Sequence, residues 1–346
     1  MIQSFDAWRA AATPLVLATV YETLGSTYSK AGHRILIAAN GDYRGLVSGG
    51  CLEGDLAERA RAALAADRPA AVTYDLRDAA DEIFGLGVGC NGLLRVFLQP
   101  LQPALGFQPF AAIAEALVGR ERAALATVIE SSDRARPIGA TVLCSGDSQR
   151  AFGVEGAAAA RLAERARRTL AGGAAELATD DGATVLFAPL KPIPRLLVLG
   201  AGLDAVPLVA MAAELGWFVT VADHRPAYLA RGGFGRAERS LLVEPGALAR
   251  TLELADFDAI IVMSHHLATD RKYLAELAAI GTRYLGVLGP RARRARLLAD
   301  LAEHASALRS RLRGPVGIDI GADSPESIAL SILADLQATL SKVEAQ

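Results

Sequence analysis

A near-repetition of the chain within its first half constrains the fold more than any other feature. Residues 15–23 read LVLATVYET and residues 123–131 read AALATVIES, each a β-rich apolar run with Glu next to its end. Each is followed by a loop, a glycine and a second apolar run, GHRILI at 32–37 and GATVLC at 139–144. Turn signals come next, at Asn40-Gly41-Asp42 and Ser145-Gly146-Asp147. The hexamer LAERAR stands at 56–61 and again at 162–167, both times inside an alanine-rich helical stretch, and VFLQPLQP at 96–103 corresponds to VLFAPLKP at 185–192. Five correspondences in one order define an internal repeat of strand, strand, helix, strand, with copies at about 13–103 and 123–192. The expectation is an N-terminal α/β domain over 1–190, closed by the linker of Pro189, Pro192 and Pro194.

The differences between the copies point to function. The first carries GLVSGGCLEG (45–54) ahead of its helix and GLGVGCNG (85–92) ahead of its last strand; the second has FGVEGAA at the first place and is shortened at the other. Extra glycines cost backbone entropy and add nothing to packing. A fold complete without them in one copy keeps them in the other for a ligand. In Ser48-Gly49-Gly50-Cys51, ahead of a helix beginning near Leu52, unpaired amides and the positive end of the helix dipole favour an anion and ease ionisation of the thiol. Cys90, flanked by Gly89 and Asn91, lies in the second glycine-dense loop, and the expectation is that the two loops share one concavity. Cys144, inside an apolar strand, reads as core.

From Arg195 the pattern changes. The run LLVLGA (196–201) suits a strand buried on both faces, and it leads through Gly200-Ala201-Gly202-Leu203-Asp204-Ala205 into a helical stretch. A strand at 217–222 then ends at Asp223, an acid about 20 positions beyond the glycines. This is the G-x-G-x-x-A form of the dinucleotide fingerprint, with Asp223 as the acceptor for ribose hydroxyls. Asp204, within the turn, opposes a diphosphate by its charge. Further strands are expected at 258–263, 284–288 and 316–320, giving a C-terminal Rossmann-like, doubly wound parallel sheet over 195–346. His265-His266 follows the 258–263 strand at the end where ligands bind in such sheets, as a cofactor contact or an acid–base group. Arg291–Arg296 (RARRAR) reads as a solvated helix face or a contact for an anion.

Composition narrows the classes. With 346 residues, a formal charge of −2 and aromatic residues at 5%, the chain is neither a phosphate-backbone binder nor a base-stacking platform, so nucleic acid is not an expected partner. The mean hydropathy of +0.28 is high. Alanine is the main reason, and Gly200, Gly202, Asp204, Glu214 and Gly216 interrupt the most apolar stretches, so no membrane span is expected. Three cysteines and no signal-like N-terminus fit a cytoplasmic protein with reduced thiols, and the apolar content is compatible with a homodimer.

The run LATVYETLGSTYSKAGHRILIAANGDYRGLVSGGCLEGD, the loop GLGVGCNG, the Rossmann segment, SHHLATDRKYL (264–274), YLGVLGPRARRARL (284–297) and GPVGIDIGADSPESIALSILADL (314–336) together resemble the XdhC/CoxI family. The family pattern differs at three places: Leu203 stands where a histidine is frequent, the loop after Gly25-Ser26-Thr27 reads YSKAG, with Lys30, where a Pro-Arg pair is usual, and Asn91 replaces a more usual glycine. The resemblance implies an accessory protein without turnover. It would bind the molybdenum cofactor, as molybdopterin or a dinucleotide form, protect it while a cysteine desulfurase supplies the sulfido ligand, and insert it into a xanthine-dehydrogenase-family apo-enzyme. Cofactor contacts are then expected at Gly25, Ser26, Thr27, Ser48, Gly49, Gly50, Cys51, Glu53, Gly89, Cys90, Asn91, Gly200, Gly202, Asp223, His265 and His266, with Cys51 and Cys90 as the soft ligands toward the metal. The alternative is an NAD(P)-dependent oxidoreductase, or binding of another nucleotide, at the Rossmann turn.

Overall fold

The computed structural model describes residues 1–77, 92–180 and 182–341. The chain forms two compact units, one running Met1–Pro192 and the other from Ile193 onward.

In the first unit, β1 (Leu15–Gly25), β2 (Arg34–Ala38), β3 (Tyr43–Arg44), β4 (Ala70–Asp75) and β5 (Gly92–Leu101) form an antiparallel sheet of order β3-β2-β1-β5-β4. A second antiparallel sheet follows from β6 (Ala123–Ser131), β7 (Thr141–Ser145), β8 (Ser148–Phe152), β9 (Glu176–Asp180) and β10 (Ala183–Leu190), in the order β8-β7-β6-β10-β9. The order is the same, and so are the irregularities. The ladder skips Tyr21 in β1 and Ile129 in β6. Just beyond, Gly32 and Gly139 turn with φ of +89° and +87°, their amides donating to the carbonyls of Val20 and Val128.

Strand alternation explains why both sheets read as unbroken apolar runs. Val16, Ala18 and Val20 pack under the helix Glu53–Ala66, whereas Leu15 and Leu17 face the other way. There they meet Leu125, Leu143 and Leu190 of the second sheet around Phe5, Phe107 and Phe110. Ala124, Ala126 and Val128 lie under the helix Gly156–Gly172, with Cys144 fully buried among them. Each sheet is thus covered by a helix on one face and by the other sheet on the second. An antiparallel sheet more often leaves one face to water.

The second unit is a parallel sheet of β11 (Arg195–Leu199), β12 (Phe218–Asp223), β13 (Arg239–Leu242), β14 (Ala259–Val262), β15 (Tyr284–Val287) and β16 (Leu312–Arg313), in the order β13-β12-β11-β14-β15-β16. One face packs on the helices Ala205–Glu214 and Pro325–Leu340, the other on Leu267–Leu277 and Arg291–Asp300. The chain is therefore mixed α/β, with antiparallel sheets first and a Rossmann-like sheet after them. The strand order reverses between β11 and β14, and this switch point is where such sheets bind ligands.

One expected strand is displaced. Residues 316–320 form a loop, and the pairing falls instead on Leu312–Arg313. Pro315 lacks a donor, Gly317 takes φ +93°, and Ser331 holds the loop by accepting the amide of Ile318 on its backbone carbonyl and donating its hydroxyl to Ile318. Gly200 has no such latitude. Its φ is +132°, and a Cβ there would lie 2.4 Å from the Met263 carbonyl oxygen. Gly200→Ala is expected to cost about 3 kcal/mol or more through backbone strain and forced separation of β11 from β14. Urea unfolding of the purified chain measures this, and a midpoint unchanged from wild type contradicts the tight packing.

Candidate functional site

The turn Val47–Leu52 is organised by one buried side chain. Glu53, 1% exposed, folds back over the first turn of its helix. Its Oε1 accepts the amides of Val47 (2.8 Å) and Ser48 (3.0 Å), and its Oε2 accepts the Ser48 hydroxyl (2.6 Å) and the Gly50 amide (3.0 Å). Ser48 Oγ in turn accepts the Leu52 amide at 2.9 Å. Burial alone favours the neutral acid, but the Ser48 hydroxyl and the backbone amides outweigh it and hold the carboxyl below its usual range. Gly49 and Gly50 take φ of +77° and +117°, which this tight wrap requires.

The arrangement corrects the expected phosphate cradle. Of the amides that were to face an anion, those of Ser48 and Gly50 already face Glu53 and that of Leu52 faces Ser48 Oγ, so the turn carries its own anion. Glu53 itself is a positioning group, walled off from any ligand. Among the described residues the amides of Gly49 and Cys51 are left without a partner. The Cys51 thiol is partly exposed and donates to the Ser48 carbonyl at 3.4 Å.

Sequence-distant residues meet there. Ser26, Thr27, Tyr28, Val47, Ser48, Cys51, Leu52, Leu76, Gly92 and Leu94 line one recess. Tyr28, 64% exposed, stands at its rim, its ring 3.8 Å from where a Cβ on Gly49 would be. Gly25, with φ +72°, ends β1 opposite Gly92, and a Cβ on Gly92 would lie 2.5 Å from the Ser26 carbonyl oxygen. Thus Ser26, Thr27, Ser48 and Cys51 come together, and Gly25 shapes the wall. Gly89, Cys90 and Asn91 lie outside the described residues, so the meeting of the two thiols is not part of this geometry. Tyr28, Leu76 and Gly92 were missed. The glycine of GCNG was the signal for Gly92, whereas nothing local marks Tyr28 or Leu76.

The carboxyl edge of the parallel sheet is likewise closed by carboxylates. Asp223 is fully buried. Its Oδ2 accepts the Ala201 amide (2.7 Å) and Arg225 Nη2 (2.8 Å), while its Oδ1 accepts the amide and Nε of Arg225 (2.8 and 2.9 Å). Burial opposes its charge, yet Arg225 and these amides keep it below the ordinary carboxylate range. The expected ribose acceptor is therefore committed to joining β11 to β12. Asp270, also buried, accepts the Ser264 hydroxyl at 2.5 Å and Arg293 Nη2 at 2.6 Å. Arg294 donates to the carbonyls of Leu312 and Arg309, so two of the four arginines in 291–296 brace the fold. His266 Nδ1 pairs with the Thr269 hydroxyl at 3.0 Å, whereas His265 Nε2 pairs with Asp204 Oδ2 at 2.7 Å. Gly202 lies beneath that last pair, and Gly200 serves the β11–β14 contact.

Among the described residues no three His, Cys, Asp or Glu side chains gather to hold a metal ion, and no helix is long and apolar enough to cross a membrane.

Comparison with known proteins agrees with this architecture. The model of the XdhC and CoxI family matches residues 8–75, and that of the XdhC Rossmann domain matches residues 196–336. A Bacillus subtilis protein named as a probable xanthine dehydrogenase subunit is 32% identical over 329 residues, covering 95% of this chain and 94% of its own length. The molybdenum cofactor insertion chaperone PaoD of Escherichia coli is 22% identical over 323 residues, 93% of this chain and 82% of its own. A crystal structure described as a xanthine dehydrogenase from Bacillus halodurans, 28% identical, covers 100% of this chain and 97% of its own with a TM-score of 0.80.

Replacing Glu53 by Gln keeps the shape and removes the charge, at an expected cost of about 2 kcal/mol near neutral pH. Because the folded carboxyl titrates below its ordinary 4.5, its contribution is fully present above that value and is lost as the pH falls through the lower folded value. Unfolding curves from about pH 7 to about pH 3 are expected to show wild type and variant converging in acid. A gap that stays constant across the series contradicts the assignment.

Proposed function

The chain belongs to the XdhC and CoxI family, and from that premise we propose that it is a maturation factor for a molybdoenzyme of the xanthine dehydrogenase type. In this reading it binds the molybdenum cofactor as cargo, shields it during sulfuration by a cysteine desulfurase, and passes it to the apo-enzyme. The work is done in the cytoplasm, without turnover by the chain itself.

The observation that carries the reading is the Cys51 recess. Of the two sheets with the same strand order, only the first has a glycine–cysteine turn ahead of its covering helix; the second starts that helix at Gly156 with no cysteine nearby in sequence. The recess offers one soft thiol, the hydroxyls of Ser26, Thr27 and Tyr28, the spare amide of Cys51, and apolar ground from Leu52 and Leu94. That set suits a ligand with a thiophilic metal end, a flat ring and hydrogen-bonding substituents. The anionic tail has less to hold it than the bare turn promised, because Glu53 has taken three amides. Cys90 enters the proposal from the sequence alone, as a second thiol.

The test is purification from cells that make the cofactor, with molybdenum content and the fluorescence of the oxidised pterin measured per chain. Wild type is expected to retain both, and Cys51→Ala to retain about tenfold less, equivalent to ~1.4 kcal/mol. Cys144→Ala, in the core of the second sheet, is expected to retain the cofactor. Absence of pterin from the wild-type chain, or full retention by Cys51→Ala, defeats the recess as the cofactor site. Capture of the apo-molybdoenzyme by an otherwise empty chain favours a plain assembly factor instead.

A further inference from the structure

The fingerprint turn of the second unit contains a feature that the family likeness does not explain. In a dinucleotide-binding turn the second glycine leaves room for the diphosphate to approach the backbone, and the helix dipole favours its charge. Here that room is taken. A Cβ on Gly202 would lie 2.3 Å from Asp204 Oδ1, so the Asp204 carboxylate rests directly against Gly202. It is held there from the other side by His265 Nε2 at 2.7 Å, and the His265 ring itself comes within 3.8 Å of the same Cβ position. His265 takes φ +62°, a left-handed conformation that a non-glycine residue adopts at a cost. The strain falls on the residue that keeps the carboxylate in place.

Among the described residues the amides of Gly202, Leu203 and Asp204 have no partner, so the donors that a diphosphate would use are present. What opposes it is the resident charge. The neighbouring acids at this edge are matched by cations, Asp223 by Arg225 and Asp270 by Arg293, both acids nearly or wholly buried. Asp204 and His265 are instead partly open to solvent, with side chains 26% and 58% exposed.

We propose that Asp204, latched by His265, is a specificity residue that makes this Rossmann turn refuse diphosphates. Nucleotides are then rejected at the phosphate as well as at the ribose, where Asp223 is already spent. This refusal is independent of the Cys51 recess and of what binds there.

The experiment is calorimetric titration of the full chain with NAD, ADP and inorganic pyrophosphate. Wild type is expected to show no saturable binding of any of the three. Asp204→Ala, which removes both charge and bulk, is expected to bind at least one of them at least about tenfold more tightly, a difference of ~1.4 kcal/mol. His265→Gln frees the carboxylate without removing its charge and is expected to gain nothing. If Asp204→Ala fails to fold, Asp204→Asn keeps the side-chain size and is expected to show the gain. Wild-type binding that the Asp204 variants leave unchanged overturns the proposal, and so does a folded Asp204 variant that still binds none of the probes.

Discussion

Buried carboxylates that collect backbone amides hold both candidate regions together. Glu53 gathers the turn before its helix, Asp223 ties the end of β12 to the start of the fingerprint turn, and Asp270 joins Ser264 to Arg293 across the sheet edge. A hydrogen bond to a charged group contributes about 1.5–3 kcal/mol, and a buried charge stripped of its partners costs more. These acids therefore lock loops that glycine-rich sequence would otherwise leave loose. The same fact decides their chemistry. A turn whose amides point at an internal carboxylate has little left for an external anion.

The glycines of both regions take their meaning from this. In the first unit, Gly49 and Gly50 let the chain wrap around Glu53, and the product of the wrapping is an accessible thiol at Cys51. In the second, Gly200 lets β11 approach β14, and Gly202 makes space for Asp204 rather than for a ligand. Glycine at these positions answers a demand for close approach, and what approaches is protein.

The duplicated architecture of the first unit shows how one copy becomes specialised. Both sheets keep the skipped residue in the central strand, Tyr21 or Ile129, and these two side chains pack in one cluster with Phe97 and Leu186. The shared interior is thus built by both copies, while the outer ends are free to diverge. The first end carries the Ser48–Cys51 turn and the close Gly25–Gly92 crossing; the second is shorter in sequence there.

Local signals were enough to specify the central strands of both copies, the change of pattern at Arg195, and the glycine–cysteine turn at 48–51 in the first copy. Those features are written in alternation, glycine spacing and repeated hexamers. The same signals misplaced the last strand, because Pro315 and Gly317 weaken pairing over 316–320 and the helix that captures this loop lies further along the chain. The directions taken by the acids emerge from the assembled fold. No spacing rule states that Glu53 bends back to Val47, that Asp223 is sealed by Arg225, or that Asp204 meets His265 from 61 residues away. Side-chain direction in a turn follows from which buried donors lack partners, and that inventory exists only once the strands have been brought together.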